Sequence, residues 1–458
     1  MKLFPSNYNY SKKINSKYTL INNTLTGALD IIENDIWDLI AVKKFNSIRP
    51  DIISRLRNRG YFYSNPEKED KILLELYNNY VKKASERPLR FVFCPSYQCN
   101  LRCIYCFETD LPSNPNKYMT EKILDDSLIA VEEIIKEKSG RIDSVELFGG
   151  EPLLLKNKPF VKKILEFAGK KDTPITIITN GVSVKEFIEI LLPVKDKIEM
   201  LQITIDGPRK IHDKRRKYPS GKGSFNHISK NIDLLLRNNI RTNVRVNIDN
   251  TNIEFIPDLY EYICRKNWMR HPDFSIRLAP VTDHTSFDYD NIIIPEEKLL
   301  ERLISIYDKY PVLEEIFGFY LFKPLRHILD ILNGAPNVSP KFFNCESNLL
   351  ELNVFCPDGY IYACGESIGK PYLAVGRFSP GLEFYPDKKA LWTERTILNI
   401  KKCRTCRFAP VCGGGCAFSS LLIYKDSREP ICERYQEVLD TFLELRGGKI
   451  LKKYMNAS

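Results

Sequence analysis

The spacing of cysteines restricts this chain more than any other feature. Thirteen occur in 458 residues. Three lie close together at Cys99, Cys103 and Cys106, and eight more fall between residues 345 and 432. The N-terminus lacks an apolar signal segment and no run of eighteen apolar residues occurs, so we expect a cytoplasmic protein with no membrane association. Because a reducing compartment disfavours disulfides, the cysteines indicate metal, cluster, catalysis or burial.

Composition is that of a soluble globular protein of two to four domains, with 43% hydrophobic and 28% charged residues. The net charge of +10 raises the question of nucleic acid. However, residues 209–222 hold seven Lys and Arg against one Asp, so over half of the excess lies in one segment. We therefore expect a solvated loop beside a site and no nucleic-acid partner. His212, within this run, receives no role.

Residues 1–86 are predicted to form a small module. Short β-like runs precede two helical patterns and a third β-like run, and a Lys/Glu-rich helix ends before Pro88. This order indicates a winged-helix-like module. The predicted strands are 17–23, 26–32 and 61–63, and the predicted helices are 33–45, 49–59 and 67–86.

From residue 89 short β-branched or aromatic runs alternate with longer helical stretches. This pattern predicts an α/β fold of parallel βαβ units, with functional residues at the carboxyl ends of the strands. Six strands are fewer than a closed eight-stranded barrel needs, which indicates a partial (β/α)6 barrel over 87–310. The predicted strands are 89–93, 144–148, 174–179, 200–205, 242–248 and 274–281, and the helices are 119–138, 157–169, 183–191, 225–238 and 253–266.

The remaining sequence divides into three parts. A bridging segment spans 311–340, a Cys-, Gly- and Pro-rich domain spans 341–446, and a tail spans 447–458. Little helical pattern occurs in 341–432, which predicts a region organised by metal rather than by an apolar core. A final amphipathic helix carries Val438, Leu439, Phe442 and Leu443 on one face.

The first cysteine group follows the first barrel strand. Three thiolates can hold a cluster while leaving one metal position open, whereas a structural zinc site needs a fourth ligand, which Cys94 could supply. The Cys99-x3-Cys103-x2-Cys106 loop, with Tyr105 before its last cysteine, resembles the radical S-adenosylmethionine (SAM) superfamily. That resemblance implies a 4Fe-4S cluster whose open iron binds the amino and carboxylate groups of S-adenosyl-L-methionine.

Motifs at three further strand ends extend the resemblance. Each motif by itself would be an ordinary turn between a strand and a helix. Together they lie at the carboxyl ends of the strands, where a parallel barrel has its active site. The resemblance implies that Glu151 meets the cofactor's amino group, and that Thr204 and Arg216 meet its ribose or carboxylate. The residues expected to bind the cofactor are Tyr105, Gly149, Gly150, Glu151, Thr179, Asn180, Thr204 and Arg216.

The C-terminal cysteines resemble the SPASM domain, which houses two auxiliary 4Fe-4S clusters and would bring the total to three. The alternative is one structural zinc at 403–416 with the other thiols buried. In the resemblance, the outer cluster takes Cys403, Cys406, Cys412 and Cys432, and the inner cluster takes Cys345, Cys364 and Cys416.

Two positions depart from the sulfatase-maturating relatives. Cys356 precedes a Pro357-Asp358-Gly359 turn and is either a fourth ligand of the inner cluster or a small apolar residue of a hairpin. The general base expected directly after Cys364 is replaced by Gly365, which leaves Glu366 as the candidate base. This weakens the sulfatase-maturation hypothesis.

We therefore predict a radical SAM maturase of a ribosomally made peptide. The resemblance implies that a 5′-deoxyadenosyl radical takes a substrate hydrogen. The first 86 residues resemble leader-recognition elements, which add a peptide strand to a sheet edge. The expected partners are a Cys-containing precursor peptide with a leader and a flavodoxin- or ferredoxin-type reductant. The expected product is a thioether from a Cys sulfur to a carbon. The alternatives are formylglycine formation in a sulfatase, another peptide crosslink or epimerisation, and a non-catalytic zinc or leader-binding protein.

Overall fold

The structure is a computed structural model that describes residues 3–108, 111–114, 117–138, 141–283, 292–335 and 339–457. The N-terminal part is a small mixed module. Its elements are β1 Phe4–Pro5, β2 Asn9–Lys13, β3 Tyr18–Asn23, β4 Ala28–Glu33, α1 Asn34–Ala41, α2 Pro50–Asn58, β5 Phe62–Tyr63 and α3 Glu67–Ser85.

Strands β2, β3 and β4 form an antiparallel sheet, and β1 pairs with β5. The predicted strands and helices are all present, whereas β1 and β2 were not predicted. Strand β2 (NYSKK) is mostly polar and half-buried, so it lacks the alternation that reveals a strand from sequence. Ile21, Leu56 and Phe62 join the sheet and the helices in one buried cluster.

The barrel part is a sheet of six parallel strands. All six predicted strands are confirmed within two residues at each end. The elements are β6 Leu89–Phe93, β7 Arg102–Cys103, α4 Glu121–Glu137, β8 Ile142–Leu147, α5 Lys158–Lys170, β9 Ile175–Thr179, α6 Val184–Leu191, β10 Ile198–Thr204, α7 Arg209–Arg215, β11 Arg216–Lys217, α8 Phe225–Arg237, β12 Thr242–Ile248, α9 Ile256–Arg265 and β13 Phe274–Pro280.

Spatial order in this sheet is β13-β12-β10-β9-β8-β6. The helices bury one apolar stripe against it, as in α5, where Val161, Ile164, Leu165 and Ala168 recur at helical spacing and are buried. All six strands run in the same direction, so their carboxyl ends lie at one edge.

The C-terminal half begins with three helices and continues into the cysteine-rich segment. Its elements are α10 Glu296–Lys309, α11 Pro311–Phe317, α12 Lys323–Leu332, β14 Leu352–Phe355, β15 Tyr360–Tyr362, β16 Gly376–Arg377, β17 Glu383–Phe384, α13 Pro386–Thr393, α14 Ala409–Cys412, α15 Ala417–Tyr424 and α16 Tyr435–Ala457.

Strand β14 pairs in parallel with β6 and extends the barrel sheet to ten strands. Phe355 stacks on Phe93 with ring centroids 5.5 Å apart. The expectation that this segment lacks an apolar core was therefore wrong: Phe342, Phe355 and Trp392 are fully buried. The hairpin of β14 and β15 around Pro357-Asp358-Gly359 was expected. Its pairing with β6 and the strands β16 and β17 were not, because each of these strands pairs over only two to four residues.

The N-terminal module packs against the C-terminal half. Tyr10 donates a hydrogen bond to Asp440 of α16 at 2.7 Å, and Lys12 forms an ion pair with Glu444 at 2.6 Å. In the interior, His327 of α12 meets the Asn22 amide oxygen at 2.7 Å. Within the described residues, no helix is both long and apolar enough to cross a membrane.

The His327 contact makes stability depend on pH. Burial, and secondly the charge of Lys341, lower the pKa of His327 from 6.5 to about 4. As the pH falls, this histidine therefore takes up its proton in the unfolded chain before it does so in the folded protein. The free energy of unfolding is unaffected above pH 6.5 and decreases as the pH falls towards 4. The loss is on the order of 2 kcal/mol at pH 5. His327→Gln should flatten this part of the pH dependence in denaturant unfolding at pH 7 and 5. The exposed control His227→Gln should keep it, and equal slopes in both variants would contradict the assignment.

Candidate functional site

A cavity of about 300 Å³ lies at the carboxyl ends of the barrel strands. It gathers Cys99, Cys103 and Cys106 with every residue predicted to bind the cofactor, and Glu366 reaches it from the C-terminal half. The parallel strand order brings these segments together, because each motif directly follows a strand. The predicted residues on its wall are Tyr105, Gly149, Gly150, Glu151, Thr179, Asn180, Thr204 and Arg216.

The three thiols of the first group converge. Burial raises the pKa of Cys99, and the nearby Glu151 carboxylate and the two other thiols of the group raise it further. Burial also raises the pKa of Cys106 to about 12. Without a positive metal centre, such thiols stay protonated, and metal coordination is what removes their protons.

The cysteine loop is held by the basic run, which comprises α7, β11 and the following turn. Cys103 of β7 pairs with Arg216 of β11, and the Ile104 amide donates to the Arg215 carbonyl at 3.0 Å. The expectation of a solvated loop was therefore wrong for Arg215, which is only 2% exposed. Its guanidinium makes a bidentate ion pair with Asp249, at 3.0 and 2.6 Å, so the charge is compensated inside the protein.

His212 has a structural role in the same turn. It is fully buried, accepts from the Asp206 amide at 3.3 Å and meets the Ser224 hydroxyl at 3.0 Å. Burial, together with Arg216 and Arg215, holds the pKa of His212 well below its usual range. The neutral ring therefore bridges two backbone segments.

Tyr105 lies at the centre of a buried hydrogen-bond network. Its hydroxyl donates to Asp206 and accepts from Arg216 at 2.7 Å and from Asn247 at 3.1 Å. The Arg215 guanidinium lies 5.0 Å from the ring centroid. The network fixes the aromatic residue of the cysteine loop against β12.

Glu151 is buried and ties two strand ends together. Its carboxylate accepts from the Thr179 hydroxyl at 2.6 Å, the Asn180 amide at 2.7 Å and the Leu153 amide at 2.9 Å. Burial nevertheless raises its pKa, although these hydrogen bonds and the charge of Arg216 act in the opposite direction, and no cation forms an ion pair with it among the described residues. An ammonium group entering the cavity would supply the missing positive charge.

The glycines before Glu151 allow two loops to touch. A Cβ at Gly149 would overlap the Cys94 sulfur, and one at Gly150 would overlap the Gln98 carbonyl. The Glu151 amide donates to that same carbonyl at 2.8 Å. The space that a side chain would fill is therefore taken by the cysteine loop itself rather than by a ligand.

Sequence reasoning missed several residues on the cavity wall. Glu108, two residues after the last cysteine of the loop, is half-buried near Glu366, and partial burial raises its pKa to about 8. Arg245 contributes a cation, and the adjacent Arg277 donates to Gln202. No motif marks these positions. In β12, Val244, Val246 and Ile248 are buried and alternate with the half-buried Arg245 and Asn247, so the two polar side chains share the face that lines the cavity. This alternation is the one signal that the sequence offers for them.

The C-terminal thiols fall into two sets. Cys345 and Cys364 are each coupled electrostatically to Cys416, whereas Cys403 is coupled to Cys406 and Cys432. Cys412 is coupled to Cys403 and Cys406. The two predicted ligand groups stay a prediction. Among the described residues, no three His, Cys, Asp or Glu side chains come close enough to hold a single metal ion.

Cys356 lies with Cys94 instead. Phe355 and Phe93 pair at the ends of β14 and β6, so the residues that directly follow them, Cys356 and Cys94, lie side by side. Both thiols are fully buried in an apolar cluster with Tyr97 and Tyr362, and the Cys94 thiol donates to the Ser96 carbonyl at 3.4 Å. The surroundings of Cys356 are those of a small buried apolar side chain.

Arg395 supports an anionic occupant of the C-terminal thiol sets. This guanidinium is 1% exposed, and its hydrogen bonds go to neutral oxygens. Its Nε atom is buried and has no hydrogen-bond partner among the described residues. The thiols within electrostatic range of the guanidinium are Cys416, Cys403, Cys412 and Cys345. A buried cation requires compensating charge, which thiolates of iron–sulfur clusters would provide. The residues present thus fit such clusters.

Comparison with known proteins identifies the family. Residues 93–263 match the sequence model of the Radical SAM superfamily. This part of the chain is a Radical SAM domain. The match ends before the C-terminal cysteines, so it does not extend to the proposed auxiliary sites.

Relatives and solved structures extend over more of the chain. A cysteine-type anaerobic sulfatase-maturating enzyme of Clostridium novyi is 26% identical over 340 residues, covering 70% of this chain and 85% of the relative. The structure of anSMEcpe with bound AdoMet has a TM-score of 0.62 at 20% identity, covering 81% of this chain and 96% of that one. Streptococcus suis SuiB bound to precursor peptide SuiA has a TM-score of 0.53 at 16% identity, covering 95% and 100%. At these identities the structures establish the shared fold.

The contact between the two loops can be tested with Gly150→Ala. The added Cβ meets backbone atoms, including the Ser96 carbonyl at 2.8 Å, which cannot move aside cheaply. We expect a stability loss of about 1–3 kcal/mol and less iron bound at the first cysteine group, measured by thermal unfolding and iron analysis. Gly381→Ala is the control, since its Cβ meets nothing within 4 Å. Equal stability and iron content in both variants would refute this role of Gly150.

Proposed function

We propose that this chain is a cytoplasmic maturase that forms a thioether in a ribosomally made, Cys-containing precursor peptide. One observation carries the proposal: a single cavity unites the three thiols of the first group, the predicted cofactor residues and Glu366 from the C-terminal half. A substrate held there would contact both halves of the enzyme. The family relationship supports a peptide or protein maturase in general.

The proposed cofactor sites follow from the residues present. Cys99, Cys103 and Cys106 would hold the first 4Fe-4S cluster. S-adenosylmethionine would place its amino group at the buried Glu151 carboxylate, with Thr204 and Arg216 at its polar parts. When bound, these groups supply the 5′-deoxyadenosyl radical, and two auxiliary clusters supply an electron acceptor.

We assign the auxiliary ligands as two sets. The outer set is complete with four thiols, whereas the inner set has three because the neighbours of Cys356 are Cys94 and aromatic side chains. An open iron position at the inner set suits binding of a substrate thiolate. The outer ligands are Cys403, Cys406, Cys412 and Cys432, and the inner ligands are Cys345, Cys364 and Cys416.

Glu366 is proposed as the group that accepts the substrate proton. A thioether replaces one S–H and one C–H bond by an S–C bond. One hydrogen leaves as an atom to the deoxyadenosyl group, and the other leaves as a proton with one electron. Glu366 is on the cavity wall in the turn after Cys364, near the proposed thiolate position.

The N-terminal module supports leader binding. Strand β4 has a partner on one side only within the described residues, so its other edge can accept a peptide strand. Beside its first residue lies a groove of about 750 Å³ that Arg57, Arg59 and Lys68 line. We propose that a leader with acidic residues occupies this edge and groove.

Surface charge around the outer set supports a protein reductant. Cys406 and Cys432 are exposed, unlike the other ligands of the sets. The exposed Lys401, Lys402 and Arg404 lie shortly before Cys406 in the chain. We propose that an acidic flavodoxin- or ferredoxin-type protein docks here.

The central test is reconstitution without oxygen. Given dithionite, S-adenosylmethionine and a co-encoded Cys-containing peptide, the enzyme should yield 5′-deoxyadenosine and a peptide lighter by two hydrogens, as seen by mass spectrometry. The same peptide without its leader should be processed at least tenfold more slowly. Formation of 5′-deoxyadenosine without the mass loss would refute thioether formation.

Metal analysis and a second substrate distinguish the alternatives. About twelve irons with matching sulfide are expected for three clusters. Stoichiometric zinc without sulfide would instead indicate a non-catalytic protein. Formylglycine formation in a sulfatase-derived peptide would establish the sulfatase-maturing alternative, to which the curated relative from Clostridium novyi points.

Replacement of the proposed base gives a separate prediction. Glu366→Gln should leave 5′-deoxyadenosine formation intact and reduce crosslinked peptide on the order of 100-fold, since the amide cannot accept the proton. The matched control is Glu346→Gln, because Glu346 also follows a proposed ligand but pairs with Arg90 at 3.0 Å. Wild-type crosslinking by Glu366→Gln would exclude this role.

A further inference from the structure

Arg395 occupies an unusual position in the C-terminal half. It follows α13, and its side chain is among the largest that are fully buried. No carboxylate among the described residues forms an ion pair with it. One end of the guanidinium donates to the Gly414 carbonyl at 2.7 Å and the Gly415 carbonyl at 3.4 Å. The other end donates to the Glu429 carbonyl at 2.8 Å and to the Ser427 carbonyl.

These contacts join the segments that carry ligands of both proposed clusters. Gly414 and Gly415 lie between Cys412 of the outer set and Cys416 of the inner set. Ser427 and Glu429 belong to the segment that precedes Cys432. The same guanidinium is within electrostatic range of thiols from both sets. Arg395 is therefore placed between the two sets rather than beside one of them.

The hydrogen bonds of the two Nη atoms all go to neutral oxygens, so the positive charge of the guanidinium is not compensated by them. The Ser420 hydroxyl, at 3.3 Å from Nη1, is also neutral. The Nε atom is buried and has no hydrogen-bond partner among the described residues. A fixed cation in a buried place favours additional negative charge nearby, and its effect is little screened there.

We propose that Arg395 is a shared positioning and tuning residue for both auxiliary clusters, holding their ligand loops together and raising the reduction potentials of both. Each cluster gains one negative charge on reduction, and the buried cation stabilises that reduced form. The inference rests on the auxiliary clusters of the proposed function, and it is independent of which peptide is modified.

The test is a redox titration of anaerobically reconstituted full-length protein, followed by electron paramagnetic resonance. Arg395→Gln removes the charge and should lower both auxiliary potentials. The reduced-to-oxidised ratio at a fixed potential should fall at least tenfold, which is about 59 mV for one electron. Arg395→Lys retains the charge and should stay within threefold of wild type. The signal of the cluster at Cys99, Cys103 and Cys106 should not move.

Arg428→Gln is the matched control, since it removes a nearby exposed cation that pairs with Glu394 at 3.3 Å. Its potentials should equal those of wild type. Unchanged potentials in Arg395→Gln with full iron would overturn the proposal. If Arg395→Gln loses auxiliary iron, Arg395→Lys decides the question. An Arg395→Lys protein that keeps its auxiliary iron and its potentials supports the proposal. An Arg395→Lys protein that loses the iron, or whose reduced-to-oxidised ratio changes tenfold, overturns it. Wild-type protein that lacks auxiliary iron refutes the proposed cofactor set instead.

Discussion

Strand β6 is paired in parallel on both sides, with β8 and with β14, and the site depends on this arrangement. The cysteine loop leaves the carboxyl end of β6, and the glutamate of the Gly-Gly-Glu-Pro turn leaves the end of β8 beside it. On the other side, β14 starts the hairpin that ends near Cys364 and Glu366. Because parallel pairing aligns strand ends, one strand places residues from both halves around one cavity.

Buried charge is the second constraint. Arg215 has its own partner in Asp249, so it contributes to structure alone. Glu151 and Arg395 are buried without an ion-pair partner among the described residues, and each lies where the proposed cofactors would supply the opposite charge. Burial of an uncompensated charge is costly. The burial of these two residues is therefore better explained in a protein with its cofactors bound than in the protein without them.

Much of the fold could be predicted because the barrel strands are short apolar runs with helical patterns between them. The six strands and five of the six helices between them were found from periodicity, and the residues predicted to bind the cofactor were chosen because each follows a strand. In contrast, β1, β2, β16, β17 and the pairing of β14 with β6 were missed. Their stability comes from pairing with distant segments, as in the contact of Phe355 with Phe93, and local sequence carries no record of such a partner.

By itself the sequence determined the type of chemistry, since ligand spacing and strand-end motifs are local properties of the chain. The tertiary structure alone decided how the remaining residues are used. It paired Cys356 with Cys94, buried Arg215 within a basic run, and brought Glu108 and Glu366 to one wall although 258 positions separate them in the chain. It also placed Arg395 between two thiol sets. The physical reason is that burial and charge compensation depend on which segments pack together, and sheet pairing over long separations sets that packing.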